Sequence, residues 1–344
     1  MEELNKLQLY VFNEILSRFP SRPDAVEALC KLLSLGPDAV YRRMRGDTVL
    51  SPDQLSLLAR KFEISLDKFV FEKSDSVVFT FNPFSQKVRS FDDYLKGIEA
   101  DLDILIRLPE IKITDSWTEI PFFYYIYFPE LFCFKFYVWG RTIWDFKYLQ
   151  TQKFALDTIP VPVIQKAQKI LERYRQIPST QLWSLSIVDN TLNQIEYHVN
   201  SGSFENPQDA ILLCNRVAEL ANHMERMAMY GKKIAVNEPV DAGGAELILY
   251  HNEMMSTNNT IFVQSRVGRA VYTTISNPNF LKTSDDQMCN YTDDWFKNII
   301  LKSQLMSTTG EKGRRFFFDR LRKRIEVVRK RVTTLVEDGN DEGF

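Results

Sequence analysis

Residues 23–47 read PDAVEALCKLLSLGPDAVYRRMRGD, an apolar segment followed at once by an arginine-rich one. Apolar residues recur every three or four positions in the first segment, which is the spacing of an amphipathic helix. Pro37 is suited to the first turn of a second helix, and Gly46 is suited to end it in the left-handed conformation. The stretch predicts two short helices joined by a turn of about three residues.

Helical spacing continues on both sides of this stretch. Residues 4–19 show it before the stretch, while Ser51 and Ser65 are suited to cap two further helices after it. No strand pattern occurs in the same region of sequence. We therefore predict an all-helical N-terminal domain over residues 1–72, followed by a polar linker at 73–76.

The second helix of the pair concentrates positive charge on one face. A helix, a tight turn and a second helix form a helix-turn-helix, in which the second helix enters the major groove of DNA. Helical spacing turns five of its residues outwards: Pro37, Asp38, Tyr41, Arg42 and Arg45. Residues 1–70 carry ten basic and ten acidic side chains, so DNA affinity would depend on a local patch and on two copies acting together.

Further positions follow a recurrent pattern. It comprises Val in the second helix, a polar residue followed by Arg, a closing Gly, a Leu-Leu-Ala helix with a later aromatic residue, and a Ser-Leu-Asp cap. In this chain these are Val40, Tyr41-Arg42, Gly46, Leu57-Leu58-Ala59 with Phe62, and Ser65-Leu66-Asp67. On these residues the segment 25–70 resembles the Cro/repressor-type helix-turn-helix domain of phage and bacterial regulators. It departs from that family at Cys30, where Ala is favoured, and at Ser34, where Gly is favoured.

The resemblance implies double-stranded DNA as a partner and a homodimer as the working form. It places Pro37, Asp38 and Arg42 at base-reading positions and Arg45 at a phosphate-contacting position. Arg42 is suited to bidentate pairing with guanine, worth about 1–3 kcal/mol of discrimination, and Asp38 is suited to accept from cytosine N4.

Composition bounds the class of protein. The 344 residues are 44% apolar and 26% charged with a formal charge of −2, which is typical of a soluble chain of more than one domain. The start is acidic where a signal peptide needs basic residues, and the four cysteines form no CxxC pair. We expect a cytoplasmic protein with free thiols.

One stretch, residues 120–139, has the apolarity of a membrane span. Glu130 and Lys135 lie inside it and Pro129 interrupts it, and each charge would cost about 2.5–3.5 kcal/mol in a bilayer. We therefore exclude a membrane span and predict two short buried helices, the second beginning at Pro129.

The rest of the chain predicts a larger α+β domain over residues 77–336. We expect its first part, 77–232, to be helical and its second part, 233–336, to be α/β. Helical patterns occur at 91–107, 129–148, 161–176, 181–199, 207–230, 293–306 and 312–335. Strand patterns occur at 76–81, 232–236, 245–251, 260–266 and 269–276. These patterns favour a helix-rich domain with a small antiparallel sheet, by analogy a GAF- or PAS-like sensing module, and a disordered acidic tail at 337–344.

A second basic cluster occupies residues 312–331, where ten basic side chains stand against the three acidic ones of Glu311, Asp319 and Glu326. An apolar seam runs from Leu321 to Leu335 at heptad spacing along the same segment. Three roles are open for this helix: contact with DNA, dimerisation through the seam, or a solvated helix packed on its own domain.

Aromatic residues are concentrated at 122–139, where eleven Phe, Tyr and Trp side chains occur. One interpretation is a large helical core. The alternative is a pocket for a small-molecule effector, in which the tyrosine hydroxyls and one arginine orient an acidic ligand. The residues of that candidate pocket are Tyr124, Tyr125, Tyr127, Tyr137 and Arg141.

Catalytic signals are weak. The three histidines are isolated, and neither a metal-ligand spacing nor a nucleophile motif occurs, so we predict no enzyme, no metal and no cofactor. The sequence as a whole predicts a sequence-specific DNA-binding transcriptional regulator with a C-terminal effector-sensing or dimerisation domain. The alternative is a protein-interaction scaffold or an enzyme whose helix-turn-helix serves only for docking.

Overall fold

The structure is a computed structural model in which the chain forms two compact units, Met1–Val78 (unit 1) and Phe79–Phe344 (unit 2). The residues that it describes are 2–16, 18–19, 21–62, 64, 66, 69, 76–81, 88–236, 239, 243–253 and 258–341. Residues 73–75 of the predicted linker and the predicted cap Ser65 lie outside the described residues.

Unit 1 is helical in its described part. Its helices are α1 Glu2–Leu16, α2 Arg22–Leu33, α3 Pro37–Arg45 and α4 Pro52–Lys61. The predicted caps explain three of these helix ends. Pro37 begins α3, Gly46 ends it with φ 83°, and the Ser51 side chain accepts from the backbone N–H of Gln54 in a capping box at the start of α4.

The turn between α2 and α3 depends on Ser34. This residue adopts the left-handed conformation, with φ 53° and ψ 44°, where glycine is the usual choice. The backbone N–H of Leu35 then bonds to the carbonyl of Cys30 at 3.1 Å, which closes the C-terminal end of α2. The tight turn therefore forms with Ser at the position where the resembled family favours Gly.

The core of unit 1 joins all four helices. The α2–α3 contact is made by Leu29, Leu33 and Val40, with Leu35 partly buried against them. Its other buried members come from all four helices and the segments beside them: Val11, Phe12, Ile15, Val26, Met44, Leu50, Leu58 and Ile64. This packing holds α3 in place and leaves its other face outside the core.

Unit 2 combines many helices with one large sheet. Its helices are α5 Phe91–Ile106, α6 Phe122–Tyr125, α7 Pro129–Thr142, α8 Val161–Tyr174, α9 Asp189–Asn200, α10 Gln208–Tyr230, α11 Asp286–Leu301 and α12 Glu311–Asp341. Its strands are β1 Thr80–Phe81, β2 Lys112–Trp117, β3 Ser179–Trp183, β4 Leu247–His251, β5 Thr260–Gln264, β6 Arg269–Ser276, β7 Asn279–Thr283 and β8 Gln304–Leu305.

The eight strands form one mixed sheet in the order β1-β7-β6-β5-β2-β3-β4-β8. The central strands β2, β3 and β4 are parallel to one another, and the remaining neighbours are antiparallel. Helices connect the parallel strands, because a parallel pair requires a crossover connection. The chain is thus a helix-rich α+β protein, as the sequence predicted at this level.

Several finer predictions for unit 2 are wrong. Strands β1, β2 and β3 lie within the segment 77–232 that was expected to be helical apart from its first residues, and β3 occupies the start of the helix predicted at 181–199. The sheet is larger than expected and its centre is parallel, so the antiparallel GAF- or PAS-like analogy does not fit. The strands predicted at 245–251, 260–266 and 269–276 are confirmed.

Helices cover both faces of the sheet. One face packs on α5 to α10 and α12 in the main core, to which Trp117, Trp183 and Leu249 contribute from the strands. The opposite face packs on α11 through Leu182, Phe262 and the buried Cys289. The sheet is therefore the middle layer of unit 2.

The last helix, α12, lies along α9 and α10. Leu321, Ile325 and Val332 of the predicted seam are buried there within the same chain, so this seam is not available to a second copy. The helix also continues through residues 337–341, which were expected to be disordered, and residues 342–344 lie outside the described residues.

The aromatic segment forms two buried helices, α6 and α7, and the second begins at Pro129 as predicted. Its two charged residues are paired, Glu130 with Arg216 and Lys135 with Glu119. Among the described residues, no helix combines the length and the apolarity that crossing a bilayer requires.

Candidate functional site

The outer face of α3 contains the residues predicted to read DNA. Pro37, Asp38, Arg42 and Arg45 are exposed, and Tyr41 is half-buried against the core of unit 1. Buried Val40 and Met44 hold the opposite face of the helix. The structure therefore brings four of the five predicted residues together on an open surface and uses the ring of the fifth partly for packing.

The three arginines of α3 have different surroundings. Arg42 has neither an ion pair nor a hydrogen-bond partner for its guanidinium among the described residues. Arg45 Nε bonds to Asp47 Oδ2 at 2.9 Å, with both side chains more than half exposed. Arg43 is half-buried and donates to the carbonyl of Ala39 at 3.1 Å, so its guanidinium is held against its own helix.

A side chain of α1 positions the C-terminal end of α3. Gln8 is 2% exposed, and its Nε2 donates to the carbonyls of Arg43 at 2.7 Å and Thr48 at 2.9 Å. Its Oε1 accepts from the backbone N–H of Leu50 at 2.7 Å. One buried amide therefore satisfies three backbone groups that follow or end α3, which fixes the direction in which the helix leaves the core.

Sequence reasoning missed Gln8, although a signal was present. It lies three, four and seven positions before the buried Val11, Phe12 and Ile15, so it continues their stripe along α1. A polar residue in an apolar stripe requires buried partners, and those partners lie 35 or more residues away along the chain.

The tyrosines predicted to line an effector pocket bond inside the core instead. Tyr124 donates to Gln181 Oε1 at 2.8 Å, and the Tyr125 hydroxyl lies 2.7 Å from the Thr191 hydroxyl. The Tyr127 hydroxyl faces the sulfur of Met227 at 3.6 Å. Burial raises the pKa of Tyr124 and Tyr125 well above the usual value for tyrosine.

The last members of that set, Tyr137 and Arg141, form a separate chain of bonds. Arg141 Nη1 donates to the Tyr137 hydroxyl at 2.7 Å, which in turn donates to the carbonyl of Gln152 at 2.8 Å. The four tyrosine hydroxyls thus end on four different partners. This arrangement favours the core interpretation of the aromatic segment over the pocket.

A buried polar cluster lies at the centre of the sheet, on the face that packs on the main core. Asp115 on β2 is opposite Gln181 on β3, and Gln181 Nε2 donates to Asp115 Oδ2 at 3.2 Å and to the Tyr174 hydroxyl at 3.0 Å. Lys233 Nζ lies 3.7 Å from the centre of the Tyr174 ring and donates to the carbonyl of Ile177 at 2.7 Å.

Burial sets the titration of this cluster. It raises the pKa of Asp115 and lowers the pKa of Lys233, while the attraction between the two opposes both shifts. The cluster ties two central strands to the end of α8 and the segment after α10. We interpret it as a part of the core, since its side chains are closed in on all sides by buried residues.

A buried ion pair joins Lys135 Nζ to Glu119 Oε2 at 3.4 Å. Asn190 and Asn259 donate to the two oxygens of Glu119 at 3.0 and 3.3 Å, so the carboxylate is fully engaged. Burial lowers the pKa of Lys135, and Glu119 opposes that shift. These contacts explain how two charges are tolerated in an apolar core.

The basic residues of α12 are largely paired within unit 2. Arg320, Arg322, Arg324 and Arg331 form ion pairs of 2.5–2.8 Å with carboxylates outside the helix. Those carboxylates belong, in the same order, to Glu253, Glu225, Asp189 and Glu196. The buried Arg314 donates to two backbone carbonyls. The structure thus favours the third of the open roles, a solvated helix packed on its own domain.

Two open cavities lie beside α12 at the carboxyl ends of parallel strands. One, about 500 Å³, is bordered by α9 and by the α12 residues Lys323, Val327 and Arg331. The other, about 580 Å³, lies at the end of β4 and is called the β4 cavity below. Its polar lining includes His251, which the sequence presented only as an isolated histidine.

Comparison of the chain with models of protein families, with curated proteins and with solved structures finds no match in any of the three.

Proposed function

We propose that this protein is a sequence-specific regulator that binds double-stranded DNA through α3, the second helix of a helix-turn-helix. The proposal is carried by the surroundings of Arg42 on the outer face of α3. Arg42 is exposed and has no partner among the described residues, while the opposite face of the helix packs in the core. A helix held from behind, with an available guanidinium in front, is the arrangement that reads bases in the major groove.

The surrounding residues support distinct roles. Asp38 is exposed in the first turn of the helix, near the position from which recognition helices contact base edges. Arg45 lies at the other end, and its exposed pair with Asp47 is weak enough to be exchanged for a phosphate. Unit 1 as a whole has no excess of positive charge, so two copies acting together supply the affinity, and we propose a homodimer.

The dimer contact lies elsewhere than the α12 seam, because that seam is buried within the chain. Sedimentation of the full-length protein with and without its selected duplex tests the stoichiometry. We expect two chains per duplex, with half-sites about 34 Å apart. One chain per duplex at saturating affinity would contradict the homodimer and leave the reading role of α3 standing.

Selection of bound sequences from a random duplex library tests the DNA proposal itself. We expect an enriched sequence, and Arg42→Ala should relax the preference at one base position by about 1–3 kcal/mol. Arg45→Ala should weaken binding to all sequences alike and reduce the salt slope by about one unit. Arg60→Ala, which removes an exposed arginine from α4, is the matched control and should change neither quantity.

Equal, sequence-independent losses in the Arg42 and Arg45 variants would remove Arg42 from base reading. Enrichment of no sequence, together with no duplex binding at low salt, would favour the alternative in which the helix pair serves as a protein-interaction module.

A further inference from the structure

The β4 cavity lies where open parallel sheets bind ligands. Strand β4 runs parallel to β3 and ends at His251, and the cavity opens beyond that end, between α11 and α12. Ligands of such sheets bind in the crevice outside the carboxyl ends of the strands. Its position makes the cavity a candidate ligand site, and its lining residues indicate the class of ligand.

His251 brings an unsatisfied buried nitrogen to this cavity. The residue is 6% exposed, and its Nε2 has no hydrogen-bond partner among the described residues. The closest carboxylate oxygen, Glu253 Oε1, lies 3.8 Å away, beyond hydrogen-bond distance. A buried polar atom without a partner is uncommon because it loses its hydration without compensation, and a ligand in the cavity can supply the missing bond.

Burial keeps this imidazole neutral at neutral pH. Desolvation lowers the pKa of His251, and Arg320 lowers it further, against the opposing effect of Glu253. A neutral ring with Nε2 protonated donates one hydrogen bond into the cavity.

The remaining lining combines positive charge with an apolar wall. Arg320 Nη1 bonds to Glu253 at 2.6 Å, which leaves other guanidinium N–H groups available. Lys302 has no ion pair among the described residues. Two cations therefore face one carboxylate, while Ile299 and Phe316 supply apolar surface, with Phe316 51% exposed.

We propose that the β4 cavity binds a small organic oxyanion, a carboxylate or a phosphate monoester that carries an apolar group. The oxyanion contacts Lys302 and Arg320 and accepts from His251 Nε2, and the apolar group packs on Ile299 and Phe316. Binding of the anion does not depend on whether the protein binds DNA. Its role as the effector of a regulator rests on the function proposed above.

Histidine-detected NMR of the full-length protein, without DNA, tests the binding. The probes are phenyl phosphate and benzoate, with benzyl alcohol as the uncharged analogue. We expect at least one anion to shift the His251 resonances saturably, with benzyl alcohol at least about tenfold weaker, and His198 and His223 to stay unmoved. The stronger of the two anions identifies phosphate or carboxylate as the preferred group.

Two lysine variants localise the site. Lys302→Gln should weaken the anion at least about tenfold, while Lys323→Gln, which removes the same charge from the neighbouring cavity, should leave the affinity within about twofold. The proposal is overturned by the absence of any saturable His251 shift with both anions, by equal binding of benzyl alcohol, or by equal affinities of the two variants.

Repeating the measurement with the selected duplex separates binding from regulation. A change in DNA affinity at saturating anion supports the effector role. Unchanged DNA affinity overturns that role alone, since anion binding is measured in the absence of DNA.

Discussion

Two helices of this protein are rich in arginine, and they use it in opposite ways. Helix α3 carries three arginines in nine residues and α12 carries seven in 31. Every arginine of α12 lies within 3.9 Å of a carboxylate or carbonyl oxygen, whereas Arg42 of α3 has no such partner among the described residues. A count of basic residues therefore does not measure the charge that is available to an external anion.

The difference follows from what lies beside each helix. Helix α12 packs lengthwise on α9 and α10, which present Asp189, Glu196 and Glu225 to its arginines. Helix α3 is short, and its neighbours α1 and α2 contact only its apolar side. Apart from Arg320 at the β4 cavity, the arginines of α12 are thus predicted to stabilise unit 2, whereas α3 is predicted to contact a partner.

The largest expected effect is on the stability of unit 2, when a buried side chain of α12 is removed. Leu321→Ala should destabilise unit 2 by about 2–5 kcal/mol, because it leaves a cavity in a closed core. Tryptophan fluorescence in urea measures this cleanly, since all five tryptophans belong to unit 2. The control Val327→Ala, on the exposed side of the helix, should stay within about 0.5 kcal/mol.

If the Leu321 variant lost the homodimer but kept its free energy of unfolding, the seam would pack against a second copy. The contrast between α12 and α3 would then not hold.

The next effect concerns the support of α3. Gln8→Ala leaves two carbonyls and one N–H without their buried partner, so unit 1 should lose about 2–3 kcal/mol. Hydrogen exchange at the Leu50 amide is the direct readout, and the tryptophan signal of unit 2 should not move. Asn13→Ala, on the exposed side of α1, provides the control. Unchanged protection of the Leu50 amide would contradict the role of Gln8.

Acid should lower the stability of unit 2 through its histidines, which unit 1 lacks. All three histidines lie in unit 2, and burial lowers the pKa of His223 to about 4. Because the folded pKa lies below that of the unfolded chain, this stabilisation is complete above the unfolded value of about 6.5 and falls as protonation favours unfolding. Unit 2 should lose about 2 kcal/mol between pH 7 and pH 5.

The variant His223→Gln should remove most of that loss, and urea unfolding of both proteins at the two pH values provides the comparison. An equal loss in the variant would assign the acid sensitivity to other groups.

The smallest effect tests the pairing of α12 itself. Arg331→Gln removes a half-exposed pair with Glu196 and should cost unit 2 less than about 1 kcal/mol. The salt slope of DNA binding should remain unchanged, in contrast to Arg45→Ala. A lower slope for the Arg331 variant would show that α12 also contacts DNA.

Unit 1 was predictable because its signals are local. Pro37, Gly46 and Ser51 each mark a helix end through their own backbone or side chain, and the structure uses all three. The same holds for Pro129 at the start of α7. What the sequence did not reveal is Gln8, whose partners lie far along the chain.

The centre of the sheet was not predictable for a different reason. Strand β2 reads KITDSW, in which Asp115 and Ser116 are buried on opposite faces, so no alternation of apolar and polar residues appears. Asp115 is tolerated there because Gln181 on β3 bonds to it. The ion pairs of the α12 arginines were also not predictable, because their acidic partners lie about 70 to 135 positions away along the chain.

The pairing of β1 with β7 has a consequence for synthesis. Thr80 and Lys282 are hydrogen-bonded across 202 positions of sequence, so the first strand of unit 2 leaves the ribosome long before its partner exists. At roughly 5–20 residues per second, the interval lasts roughly 10–40 s. Unit 1 is a compact unit built from the first 78 residues, so its core can form early in that time. We therefore expect the nascent chain to carry a folded α3 while unit 2 still depends on chaperones.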